Sequence, residues 1–230
     1  MARRHLFTLA TEAIARLVIR RENTALLVQD MQMYWADREG GYARVADERG
    51  ILYEYNEYFQ IIDQMRANVL HLIDRFHQLH MPVIFTSFAY EDERDISALQ
   101  LGTGIVLSSE DAEAQIISDL APTRGEPLYV KTGFSAFTSG GFSDHLQRRR
   151  IENLILTGVH SEMGIWATAL SAQDRGIRPL LVNDGCAGLC YDAHDNIMAR
   201  APHALTKVRS TGELMDSLRV MEQDDEPVLI

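Results

Sequence analysis

The chain has 230 residues, is 46% hydrophobic and carries a formal net charge of −11. Such a length suits one domain with a sizeable core, and the negative balance opposes binding to a phosphate backbone. The two cysteines, Cys186 and Cys190, are too few for a disulfide framework and lack the paired spacing of a zinc site, which fits a reducing cytoplasm.

Residues 1–21 place Leu6, Leu9, Ala10, Ala13, Ile14, Leu17 and Val18 at helical spacing with basic residues opposite. Glu12 and Arg16 interrupt the apolar stretch, which argues against a secretory signal. A transit peptide has this composition too; the reading preferred is a helix docking on the body or on a second subunit. No apolar run approaches the ~20 residues that span a bilayer.

Short apolar runs then alternate with helical patterns. The predicted strands are Thr24–Val28, Pro82–Thr86, Pro127–Val130, Asn153–Thr157, Pro179–Val182 and Ala204–Lys207. Helical patterns fall near residues 55–80, 110–120, 142–149, 162–175, 192–201 and 211–222. This alternation predicts an α/β fold: a doubly wound, mainly parallel six-stranded sheet with helices on both faces, a Rossmann-like three-layer arrangement in one domain over 1–230. Residues 35–54 form a charged, glycine-containing insertion, read either as a lid or partner arm or as an insertion without a chemical role. The tail MEQDDEPVLI is acidic, then apolar, and either frays or packs on a neighbour.

Ligands of open α/β sheets gather at the carboxyl ends of the strands. Asp30 stands there after the first strand, where burial raises a carboxyl pKa toward the range useful for proton transfer; capping a turn is the plain structural alternative. Lys131 ends another strand. Beside Asp30 it would hold the carboxylate and oppose that rise, but spacing alone does not bring the two together.

Three segments resemble the isochorismatase-like hydrolase superfamily. TALLVQDMQMYW is similar to its first catalytic segment, an apolar strand and then D-x-Q; LYVKTGFSAF is similar to its lysine segment; NLILTGVHSEMGIWATALSAQDRGIRPLLVNDGCAG is similar to its third. They occur in the right order over roughly residues 20–220. Most members are cysteine hydrolases, such as nicotinamidases, whose nucleophile lies six residues after the Gly of T-G-V. Here that position is Gly164, and Ser161 lies three residues too early to replace it. The isochorismatase branch also carries Gly there.

That branch implies an enol (vinyl) ether cleaved by acid catalysis in a small carboxylated substrate. Asp30 would be the acid, Lys131 would position it or bind substrate carboxylate, and Arg94 would bind substrate. Gln32, Phe88, Leu101, Phe134, Phe137, His160 and Ser161 occupy the other expected pocket positions, with a non-prolyl cis peptide just before His160. The chain departs from the branch at His160–Ser161–Glu162, at Phe88, and at Leu101–Gly102–Thr103–Gly104. No cofactor and no metal are expected, since residues 31–69 lack the histidines of metal-using nicotinamidases. A cytoplasmic homo-oligomer, dimer or tetramer, is expected from the resemblance. Two other functions stay open: a catalytically impaired binding or scaffold protein, and a Cys-independent amidohydrolase using water with Asp30 as base.

Overall fold

Six parallel strands run through the centre of the molecule, side by side in the order Leu128–Lys131, Val83–Phe88, Thr24–Gln29, Asn153–Val159, Arg178–Ala187 and Lys207–Arg209. A computed structural model describes residues 17–204, 206–224 and 226–230. The strands are β2 (Thr24–Gln29), β3 (Val83–Phe88), β4 (Leu128–Lys131), β5 (Asn153–Val159), β6 (Arg178–Ala187) and β7 (Lys207–Arg209). Every residue of β2, β3 and β5 is buried, as near-continuous apolar runs require when both faces are covered. The edge strands β4 and β7 are partly exposed.

Alternate residues of each strand feed opposite layers. Leu26, Val28, Val83, Phe85, Leu180 and Val182 face α3 (Asn56–Gln78) and α8 (Thr211–Asp224). On α3, Ile62, Met65, Val69, Leu72 and Phe76 recur at the 3-4 spacing of a helical stripe, and that stripe is the face in the core. Ala25, Leu27, Ile84, Leu154, Leu156 and Leu181 face the other way, onto Phe142, Leu146, Ala169 and Ile197. Those four belong to α5 (Phe142–Arg148), α6 (Trp166–Gln173) and α7 (Tyr191–Arg200).

The chain enters at β2, winds outward through β3 to β4, then returns to place β5 against the other side of β2. The winding reverses between β2 and β5. A crevice opens at such a reversal because the two connections leave toward opposite faces. Asp30 follows β2 and His160 follows β5, so both sit at its mouth.

Several expectations are corrected. The 35–54 insertion is largely helical, with α1 (Met33–Ala36), α2 (Gly41–Glu48) and a 3₁₀ turn, Leu52–Tyr55, leading into α3. No helix covers 110–120. That segment runs antiparallel to residues after β2, with Met33 N–H donating to Gln115 O and Ile117 N–H to Met31 O. It holds one short 3₁₀ turn, Ala112–Ala114, and sinks Ile116, Ile117 and Leu120 into the core instead. A helix that the periodicity did not signal, α4 (Ala98–Thr103), starts at a capping box between Ser97 and Gln100. The helix expected over 1–21 lies mostly outside the described residues, and its last part is strand: β1 (Val18–Ile19) pairs antiparallel with β8 (Val228–Leu229). The end of the tail therefore pairs within its own chain.

Candidate active site

β2 ends by turning sharply. Asp30 adopts a left-handed backbone (φ 56°), and its N–H donates to Thr86 O of β3 at 3.0 Å. The turn aims the carboxylate across the carboxyl end of β3. Thr86 Oγ1 donates to Asp30 Oδ1 at 2.9 Å, and Lys131 Nζ, from the end of β4, lies 2.7 Å from Oδ2. Both charged side chains are buried, Lys131 almost completely. Its ammonium also donates to Gly133 O at 3.0 Å and sits 5.1 Å from the centroid of the Phe88 ring, within reach of a cation–π contact. Burial raises the Asp30 pKa from its usual value, and the Lys131 charge offsets part of that rise.

β5 delivers the other wall. Gly158 (φ 112°) is required there, because a β-carbon would run into the carbonyl of Gln29 on β2. The next peptide, Val159–His160, is cis. His160 is buried beneath the insertion: the Trp35 ring meets it edge-on at 4.8 Å, Tyr42 packs alongside, and Tyr58 Oη lies 3.0 Å from Nε2. The Tyr58 hydroxyl donates to Trp35 O, so the network assigns the proton of this contact to His160 Nε2–H. Burial, with the nearby Lys131 charge, pushes the His160 pKa down to about 3, so the ring is neutral near pH 7.

Asp30, Lys131 and His160 share a cavity of about 220 Å³. Trp35, Tyr42, Phe88, Ile105, Phe134, Val159, Met163 and Leu189 supply its apolar walls, with Gly164 and Thr103 completing it. A π-helical turn, Ser161–Ile165, brings Gly164 to the wall. A β-carbon on Gly164 would collide with Gln29 Nε2. Gln29 is itself fixed, donating to Phe134 O at 3.3 Å and accepting from Thr168 Oγ1 at 2.8 Å.

Of the residues picked from sequence, Asp30, Phe88, Lys131, Phe134, His160 and Gly164 converge on this cavity. The others do not line it. Arg94 pairs with Asp92 at 2.5 Å, with its side chain 87% exposed. Leu101 projects from α4 into solvent. Phe137 is held between Phe142 and the Arg175 guanidinium. Gln32 is a buried clamp on the β3 end, donating to Phe88 O and accepting from Phe88 N–H. Ser161 is fully buried and lies 2.8 Å from His194 Nδ1, whose Nε2 contacts Asn183 Oδ1 at 3.1 Å.

Sequence reasoning missed Trp35, Tyr42, Met163 and Leu189 in the walls and Thr86 beside the carboxylate. The aromatic pair Tyr34–Trp35 at the start of the insertion was the one visible signal for its role. Neither cysteine lines the cavity: Cys186 is buried elsewhere and Cys190 is exposed. Among the described residues no group of His, Cys, Asp and Glu could hold a metal ion. No helix among them is long and apolar enough to cross a membrane.

Comparison with known proteins agrees with this architecture. The family model described as "Isochorismatase domain" matches residues 24–213. Enterobactin synthase component B of Escherichia coli is 26% identical over 222 residues, covering 90% of this chain and 72% of that protein. The isochorismatase of Bacillus subtilis is 25% identical, covering 84% of this chain and 57% of that one. Phenazine biosynthesis protein PhzD of Pseudomonas fluorescens is 26% identical, covering 88% and 89%. Among solved structures, a cysteine hydrolase from Pseudomonas syringae superposes with a TM-score of 0.76 at 16% identity, over 88% of this chain and 95% of that one, and so shares the fold. With a family match spanning residues 24–213 of the chain and a parallel sheet that brings Asp30, Lys131 and His160 to one crevice, this protein belongs to the isochorismatase family of hydrolases.

Proposed function

We propose that this protein hydrolyses its substrate by acid–base catalysis at Asp30, without a covalent nucleophile. One observation carries the reading: a desolvated carboxyl faces a formed cavity that no Cys or Ser lines. Burial raises the Asp30 pKa from its usual carboxylate value, which is the direction a general acid needs. The best-defined reaction for such an acid is enol ether cleavage. Asp30 gives its proton to the terminal carbon of the C=C–O unit, and the electron pair of the double bond forms the new C–H bond. The oxocarbenium ion is trapped by water, which returns a proton to the Asp30 carboxylate. The hemiketal then collapses to a carbonyl compound and an alcohol.

The surroundings support each demand. Lys131 and Thr86 fix both carboxylate oxygens, so the acid is aimed before substrate arrives. Aromatic walls at Trp35 and Tyr42 can stabilise a transient cation through their π faces. The open cavity favours catalysis over a scaffold role. The test is turnover of a panel of enol ethers and amides by wild type and Asp30→Asn, with and without thiol alkylation. Enol ether cleavage that resists alkylation and falls by at least ~10²-fold in Asp30→Asn is expected. Full turnover in Asp30→Asn, or loss on alkylation, refutes the mechanism.

A further inference from the structure

We propose that this cavity takes an uncharged, largely apolar substrate, and not the carboxylated one that the family resemblance implies. The inference rests on the reading of this cavity as the active site.

A buried carboxylate needs a partner, because leaving it unpaired costs several kcal/mol. The lining contains one cation among the described residues, Lys131. Its ammonium is already committed on three sides: to Asp30 Oδ2, to Gly133 O and to the Phe88 ring. Arg94, which the resemblance assigns to substrate, is paired with Asp92 in solvent. His160 is neutral at working pH, since burial holds its pKa near 3.

Glu162, which precedes the wall residue Met163, brings no positive charge that could serve an anion. Glu162 Oε1 accepts from the N–H of Leu189, a residue of the cavity wall, and Oε2 is buried without a hydrogen-bond partner. A cation fares no better: Glu162 is not in the lining, and inside the cavity a cation would meet the Lys131 ammonium beside an Asp30 already paired with it. The remaining lining is mainly aromatic and aliphatic: Trp35, Tyr42, Ile105, Phe134, Met163 and Leu189. Phe134 and Leu189 are each 38% exposed, so the mouth is apolar as well.

The test uses three probes of nearly one shape: benzamide, benzoate and benzamidinium. Binding is read from the fluorescence of Trp35 in a Trp166→Phe background, Trp166 being the one other tryptophan. At pH 7.5 benzamide is expected to bind about tenfold or more tightly than either ion. In Asp30→Asn the Lys131 charge loses its partner, so benzoate is expected to gain at least tenfold relative to benzamide. Benzoate or benzamidinium binding wild type as tightly as benzamide, or no binding of benzamide, overturns the proposal. The readout is affinity, so it stands apart from the turnover assay: Asp30 could fail as the acid while the preference for a neutral ligand holds, and the reverse.

Discussion

Gln29 occupies the space that any side chain on residue 164 would need. Its amide nitrogen would meet a β-carbon there, while its two ends are tied to Phe134 O and Thr168 Oγ1. The end of β2 and the turn after β5 are thus fitted to one another around a glycine. Gly164→Cys should force Gln29 off its bonds and cost about 1–3 kcal/mol in urea denaturation, the sum of local overpacking and a lost buried hydrogen bond. Gln29→Ala should absorb part of that penalty, so the double variant should be more stable than the two single losses predict. Additive losses would mean the two side chains do not compete for this space.

The ion pair of Asp30 and Lys131 gives a second test. Lys131→Met leaves a carboxyl buried without its counter-charge and is expected to cost ~3–5 kcal/mol at neutral pH, whereas Asp30→Asn/Lys131→Met should cost less than Lys131→Met alone. The sign with pH follows from the raised folded pKa of Asp30. A carboxyl that holds its proton more tightly when folded stabilises the fold below its unfolded value, near 4, and that contribution is lost as pH rises through the folded value. The stability of Asp30→Asn relative to wild type should therefore rise on going from pH 4 toward 8. A constant difference across that range would contradict the raised pKa.

Arg94 offers a contrast. Exposed and, among the described residues, paired with Asp92 alone, it should be dispensable: Arg94→Ala is expected to change stability by no more than about 0.5 kcal/mol and turnover by less than about twofold. A KM rise of tenfold or more would place this arginine at the substrate after all.

These cases mark what a sequence of this kind reveals. The buried strands were readable because TALLV, NLILT and PLLV are apolar on both faces, which a covered parallel sheet demands. Strand ends then located Asp30, Lys131 and His160, but not the contact between the first two, which reaches past β3. Residues 110–120 misled, since Ala114, Ile116, Ile117 and Leu120 bury equally well in an extended segment laid along Met31–Met33. Leu101 turns outward because the capping box at Ser97–Gln100 sets which face of α4 meets the body, and Arg94 is drawn to Asp92 two residues before it, neither of which a resemblance along the chain reveals. Trp35 and Tyr42 reach His160 only through the folding of the insertion, a tertiary event with no periodic trace.

The insertion also predicts how the protein should respond to acid. His160 is enclosed by Trp35, Tyr42 and Tyr58, and its folded pKa of about 3 lies far below the unfolded value near 6.5. Between those values the unfolded chain binds a proton that the folded chain refuses. The stability due to neutral His160 is thus fully present above pH 6.5 and is lost as pH falls toward 3. His160→Gln keeps a donor for Tyr58 and cannot titrate, and the other titratable residues are common to both proteins. The gap between their stability curves should therefore move in favour of the variant by up to about 4 kcal/mol over this range. Denaturant titrations at closely spaced pH read that gap directly. Parallel curves would show that His160 gains its proton with little penalty in the fold, and so that the aromatic cover over it opens to water.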